Sequence, residues 1–237
     1  MQEWSCRLCL QPDLHKKLWR CPLRKQYLYG IKKTIGKVAC PQFRPALTDK
    51  GRSSVQLGLR VHQDMEMYIK NKHQPGVTTH AYPDGSPRHS WATHLLEFEE
   101  KVLKLDLQLA ELTIYSRTKA LASAFDHCAI DRQTGELVLV SIKTGHGETW
   151  NDSNCYFSAA TTGLKKCKAT PHLQAWFQLG LENQLIRETY GVRVDRMIII
   201  SYTGQPLNPI RVNKYPHQVF GPDQQHNFWD KLYQSIK

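Results

Sequence analysis

The chain has 237 residues, with 32 lysines and arginines against 21 acidic residues, a formal net charge of +11. That length supports one α/β domain with a substantial core, and 41% hydrophobic with 22% charged residues excludes a disordered chain. No apolar run approaches the roughly 20 residues a membrane helix requires. Seven cysteines, an odd number without a secretory apolar segment, point to an intracellular, reducing compartment: nucleus, cytoplasm or mitochondrion.

In chain order, residues 1–50 come first and carry eleven basic residues against three acids, eight of the eleven net charges. Trp4, Trp19, Tyr27, Tyr29 and Phe43 interleave with them. Cations beside flat rings neutralise phosphates and stack bases, so Arg20, Arg24, Lys25, Lys32 and Lys33, with Arg60 further on, are the candidate nucleic-acid contacts. A solvated basic helix and a basic targeting segment are the alternatives for the same charges. Residues 12–33 read as helical, broken at Cys21-Pro22 by the proline. The expected division is a basic, aromatic-rich helical region at 1–50 packed on a core domain at 51–237.

Residues 53–70 predict a helix, because Leu57, Val61, Met65 and Tyr68 form one apolar stripe with His62 beside it. A Gly-, Pro- and His-rich loop over 72–89 precedes a second helix over 90–104. Strand patterns follow at Leu107–Tyr115, Ala120–Ile130 and Glu136–Lys143, the last two joined by a hairpin turn over 131–135. A polar stretch over 145–170 reads as a long loop. An amphipathic helix is expected over 171–190, stopped by Gly191. Val194–Tyr202 and Ile210–Lys214 read as strands and Asn227–Ile236 as a closing helix. This order predicts an α/β fold with a central mixed sheet flanked by helices, and no glycine-rich phosphate loop occurs.

The stretch from Glu111 to Gly145 carries the chemistry. Asp126 lies on one strand, and on the next Ser141 and Lys143 share a face because strand residues alternate. If those strands pair, Asp126 and Lys143 meet across one cleft. There a carboxylate can hold Mg²⁺ and an ammonium can orient water or offset developing phosphoryl charge. A surface ion pair is the plain alternative.

Taken together, six short segments resemble the RecB-like branch of the PD-(D/E)xK nuclease superfamily, the branch of the mitochondrial genome maintenance exonucleases and related viral exonucleases. They are Cys21-Pro22-Leu-Arg24, Gly58-Leu-Arg-Val-His62, Glu111, Phe125-Asp126, Ile142-Lys143-Thr144 and Gln178-Leu-Gly-Leu-Glu182, in the family's order over most of the chain from Cys21 onward. The resemblance implies a restriction-endonuclease-like core and hydrolysis of phosphodiester bonds with Mg²⁺ or Mn²⁺, on DNA ahead of RNA, at ends or single strands. It assigns His62, Asp126 and the backbone carbonyl of Ile142 as metal ligands. Lys143 would position the attacking water, Gln178 would steady that lysine or the DNA end, and Glu111 would bind the metal through water or orient a group that holds a metal ligand.

Three positions depart from the family pattern. Ser141 stands where the second core acid belongs, Ser123 where a glycine precedes the core aspartate, and Glu182 where the helix carries tyrosine. A serine hydroxyl is a neutral, weak ligand for a hard cation. The departures leave two readings: a site completed by another acid (Glu111, Glu148, Asp152 or Glu182), or a nuclease fold that binds nucleic acid without cutting. A protein-interaction module with a basic face is a third. Cys6-x-x-Cys9, with His15, Cys21 and Cys40, is a candidate zinc site of irregular spacing. No cysteine follows Cys167, so the iron–sulfur cluster of some RecB-like nucleases is not expected. Cys128, Cys155 and Cys167 are expected to be ordinary thiols.

Overall fold

The computed structural model describes residues 11–13, 18–21, 26–31, 49–72, 89–116, 118–145, 150–151, 153, 155–158, 162–164, 166–204, 210–221 and 227–235. Three short strands come first: β1 (Gln11–Asp13), β2 (Leu18–Cys21) and β3 (Gln26–Gly30). The helix expected over 12–33 is therefore replaced by an antiparallel meander, with Trp19 opposite Leu28 and Arg20 opposite Tyr27. The aromatic residues Trp19, Tyr27 and Tyr29 suit strands. β3 then pairs in parallel with β6 (Leu121–Ala124), Tyr29 opposite Leu121.

Helix α1 (Asp49–Asn71) and helix α2 (Ser90–Glu97) match the apolar stripes of the sequence. The α2 N-cap is His89, whose imidazole accepts from the Trp91 N–H at 3.2 Å. A single π-helical turn, Phe98–Val102, continues α2. After it come β4 (Leu105–Ala110), β5 (Thr113–Ser116), β6, β7 (His127–Asp131) and β8 (Leu137–Thr144). Helix α3 (Pro171–Tyr190), β9 (Arg196–Tyr202), β10 (Arg211–Asn213), the short α4 (His217–Phe220) and α5 (Asn227–Ser235) complete the chain.

Two five-stranded sheets result. One has the order β1-β2-β3-β6-β5, and the central mixed sheet has the order β10-β9-β8-β7-β4. Within the latter β8 and β9 run parallel, Ser141 opposite Ile199, and the other neighbours are antiparallel. The fold is mixed α/β, with helices on both faces of the central sheet.

Two stretches read as single strands are each broken in the middle. The chain leaves the central sheet between β4 and β5, at Glu111, whose φ of 50° is left-handed. It returns between β6 and β7, at Asp126. The pairing runs on through both corners, Ala110 opposite His127 and Thr113 opposite Ala124, and the Glu111 N–H donates to the Asp126 carbonyl at 3.1 Å. Both corner residues are thus carboxylates.

Strand alternation divides β8 between two cores. Val138, Val140 and Ile142 pack with Val61, Met65 and Leu95 of α1 and α2, while Leu139 packs with Trp176 and Leu179 of α3. Ser141 and Lys143 follow Leu139 by alternation and face the α3 side. The expected hairpin joins β7 to β8: Asp131 Oδ1 accepts from the Gln133 N–H at 2.8 Å, and Gly135 takes φ of 75°.

α3 begins at Thr170, whose hydroxyl accepts from the Leu173 N–H at 3.2 Å, and ends at Gly191 with φ of 69°. It is buried on nearly every side rather than amphipathic, including Gln178, Glu182, Asn183 and Gln184. α5 covers it: a Cβ on Gly180 would lie 2.4 Å from the Trp229 ring, so only glycine lets Trp229 seat there. The C-terminal turn of α3 is tied to β5, because the Thr189 hydroxyl donates to the Tyr115 carbonyl at 2.8 Å.

Candidate metal and nucleic-acid site

α1 lies against the end of β8 closely enough that a Cβ on Gly58 would come within 2.8 Å of Thr144 Oγ1. Glycine at this position lets the helix descend, and His62, one turn further on, reaches the corner where Asp126 sits. His62 Nδ1 stands 3.6 Å from Asp126 Oδ1, with the two side chains 25% and 13% exposed. Glu111 comes from the opposite corner. His62, Glu111 and Asp126 each offer one ligand atom, all within 4.8 Å of one another, and no other such group occurs among the described residues. An imidazole nitrogen with two carboxylate oxygens fits a divalent cation.

The other oxygen of Asp126 is held from β8. Oδ2 accepts from the Ile142 N–H at 2.8 Å and from the Ser141 hydroxyl at 2.9 Å. Lys143 in turn donates to Ser141 Oγ at 2.6 Å and stands 3.8 Å from Asp126 Oδ2. Ser141 is only 2% exposed, and its hydroxyl bridges the ammonium and the carboxylate. These residues border a cleft of about 420 Å³ that is lined by His62, Glu111, Asp126, Ile142, Lys143 and Thr144 together with Val55 and Leu59.

Gln178 and Glu182 lie one turn apart on α3 and do not line the cleft. Gln178 Nε2 donates to Glu182 Oε1 at 2.8 Å, and the Ser123 hydroxyl donates to the same oxygen at 2.7 Å. Two of the three departures from the family pattern, Ser123 and Glu182, are therefore one contact. Burial, with the charge of Asp126, pushes the Glu182 carboxyl up to about 7, against the opposing pull of Gln178, Ser123 and Lys143.

Behind the corner lies a pair the sequence reading missed. His127, next after Asp126, meets Glu99 of the π-helical turn at 2.6 Å, with both side chains almost wholly buried. Burial pulls the imidazole down, but the charge and hydrogen bond of Glu99, with Asp126 and Glu111 beyond, outweigh it and raise the His127 pKa. The only sequence signal was a histidine beside a core aspartate.

Of the candidate nucleic-acid contacts, Arg60 is half-exposed and its Nε lies 3.1 Å from the buried Asp64 carboxylate. Arg20 falls on β2, whose backbone alone is described. Arg24, Lys25, Lys32 and Lys33 lie outside the described residues, as do Cys6, Cys9, His15, Cys40, Glu148 and Asp152. Cys128 and Cys167 are free thiols, and burial pushes that of Cys128 up to about 11. No helix among the described residues is long and apolar enough to cross a membrane.

No family model matches the sequence, and no curated protein matches it. Among solved structures, a crystal structure from Eubacterium rectale provisionally described as an exonuclease is similar at 10% identity and a TM-score of 0.38. The likeness covers 83% of this chain, which spans 65% of that structure's length.

Proposed function

We propose that the chain is a divalent-metal-dependent nuclease with a restriction-endonuclease-like core of the RecB-like PD-(D/E)xK kind, acting on nucleic acid, DNA ahead of RNA. The observation that carries this reading is the convergence of His62, Glu111 and Asp126 at one corner of the cleft, with Lys143 beside Asp126. Mg²⁺ or Mn²⁺ is the proposed ion, and the imidazole in the set favours Mn²⁺. When bound, such an ion supplies Lewis-acid polarisation of a phosphoryl oxygen and a more acidic water.

The protein's own part follows from its contacts. His62, Asp126 and the Ile142 carbonyl would hold the ion, with Glu111 completing the acidic set in place of the acid missing at Ser141. The Ile142 N–H and Ser141 hydroxyl fix one oxygen of Asp126 and leave the other turned to His62. Lys143, steadied by Ser141, would position water and offset charge developing on the phosphoryl group. Gln178 acts at a distance in this scheme, through Glu182 and Ser123. The basic residues of the first fifty would neutralise phosphates.

Ser141 favours a second reading. Its hydroxyl brings no negative charge and ties up Lys143 at 2.6 Å, as a nuclease fold that binds without cutting would have it. One assay separates the two: the full chain with labelled single- and double-stranded DNA and Mn²⁺, for wild type, Asp126→Ala and Ser141→Asp. Cleavage by wild type that Asp126→Ala abolishes is the expected result. A silent wild type awakened by Ser141→Asp would support the binding module. Silence in all three without DNA binding would reject both.

A further inference from the structure

Behind the metal corner, outside the cleft, stands an acid that the proposed chemistry leaves unused. Glu182 is 1% exposed in the middle of α3. A carboxyl so buried is retained only where partners hold it. Two do: Ser123 of β6 and Gln178, one helical turn earlier, both donate to Oε1, at 2.7 and 2.8 Å. Ser123 comes three residues before Asp126, on the strand that leads into the corner. Ser141 and Lys143 face α3 from β8. The charges that act on Glu182 are Asp126, which repels it, and Lys143, which attracts it. Ser123, Gln178 and the Trp229 ring that packs on Gly180 from α5 are neutral.

An ion held by His62, Glu111 and Asp126 takes up the charge of Asp126. It thereby removes the repulsion that Asp126 exerts on Glu182. It also weakens the attraction between Asp126 and Lys143, which stand 3.8 Å apart, and with serine at 141 β8 brings the ammonium no carboxylate of its own. Both changes favour a carboxylate at 182. We propose that Glu182 is a positioning residue for the metal site: without the ion it keeps its proton, and when a divalent cation binds it gives the proton up and faces Lys143 as the counter-charge from α3. This rests on the metal-dependent reading of the site and adds to it a residue that touches neither ion nor substrate. The bond that breaks is the carboxyl O–H, and the proton ends on buffer, where it can be counted. A carboxyl pushed up to about 7 by its burial and by Asp126 brings the exchange into the neutral range.

The test counts those protons. Mn²⁺ is titrated calorimetrically into the full wild-type chain at about pH 6.5, in two buffers of different ionisation enthalpy, and protons released per ion are compared with those from Glu182→Gln. Protons leaving His62 and the other ligands are common to both proteins, so the difference belongs to residue 182. Wild type is expected to release about half a proton more, and its Mn²⁺ affinity to climb more steeply as pH rises toward neutrality. Ser123→Ala removes a donor that favours the ionised form, and is expected to move the extra release to higher pH. Where Glu182→Gln melts too early for titration, the Ser123→Ala profile decides alone. Equal proton release from wild type and Glu182→Gln overturns the inference and leaves the nuclease reading standing. A Ser123→Ala profile that coincides with wild type also overturns it. A wild type that binds no Mn²⁺ overturns both.

Discussion

Ser123 and Glu182 are separated by 59 residues, yet the serine hydroxyl and the buried carboxyl share a hydrogen bond of 2.7 Å. Each was legible in the sequence as an unusual residue, because each stands where a family pattern expects another. Their partnership was not, since it exists only once α3 docks beneath β6. The consequence is a titration. The folded chain holds a proton on Glu182 up to about pH 7, whereas the ordinary carboxyl value is 4.5. Between those values the folded state binds more protons than the unfolded, so Glu182's contribution to stability is complete below the lower value and lost as pH rises through the upper. Glu182→Gln keeps a carbonyl acceptor for Ser123 and removes the titration. The melting temperature of wild type minus that of the variant should therefore fall steadily across that window. A difference that is flat with pH would mean the carboxyl does not ionise there.

At the scale of elements, the sequence located most helices and strands but not the places where strands break. Leu107–Tyr115 and Ala120–Ile130 keep an apolar rhythm through Glu111 and Asp126, and nothing local announces a left-handed glutamate at φ of 50°. The corner forms because β4 and β5 belong to different sheets, a tertiary demand that overrides the local pattern. The same corner needs support from behind, which the Glu99–His127 pair supplies from the π-helical turn to the first residue of β7. π-turns gather at functional sites. Neither partner has water to fall back on, so removing one leaves a buried charge without compensation. Glu99→Ala should cost about 3–5 kcal/mol in urea unfolding. Glu99→Leu combined with His127→Leu should recover much of that loss, because the unpaired charge is then gone. If the double variant is as unstable as Glu99→Ala, the pair matters for its packing and its ionic character is incidental.

For the molecule as a whole, the +11 net charge was the first thing legible, and eight of those charges sit in the first fifty residues. What the sequence misjudged was the shape that carries them: residues expected to be helical build strands that pair with β6, Tyr29 opposite Leu121, and Ile31 enters the core beside Ile114 and Leu121. Strands β2 and β3 thus belong to the sheet whose β5 and β6 meet the site's corners. Phosphate contacts release counterions, so the affinity of the wild type should fall steeply with salt, about a thousandfold between 50 and 200 mM for roughly six contacts. Replacing Arg24, Lys25, Lys32 and Lys33 together by Gln should reduce the slope of log affinity against log salt by about 3 and weaken single strand and duplex alike. A slope untouched by the four glutamines would place the phosphate track on another face of the protein.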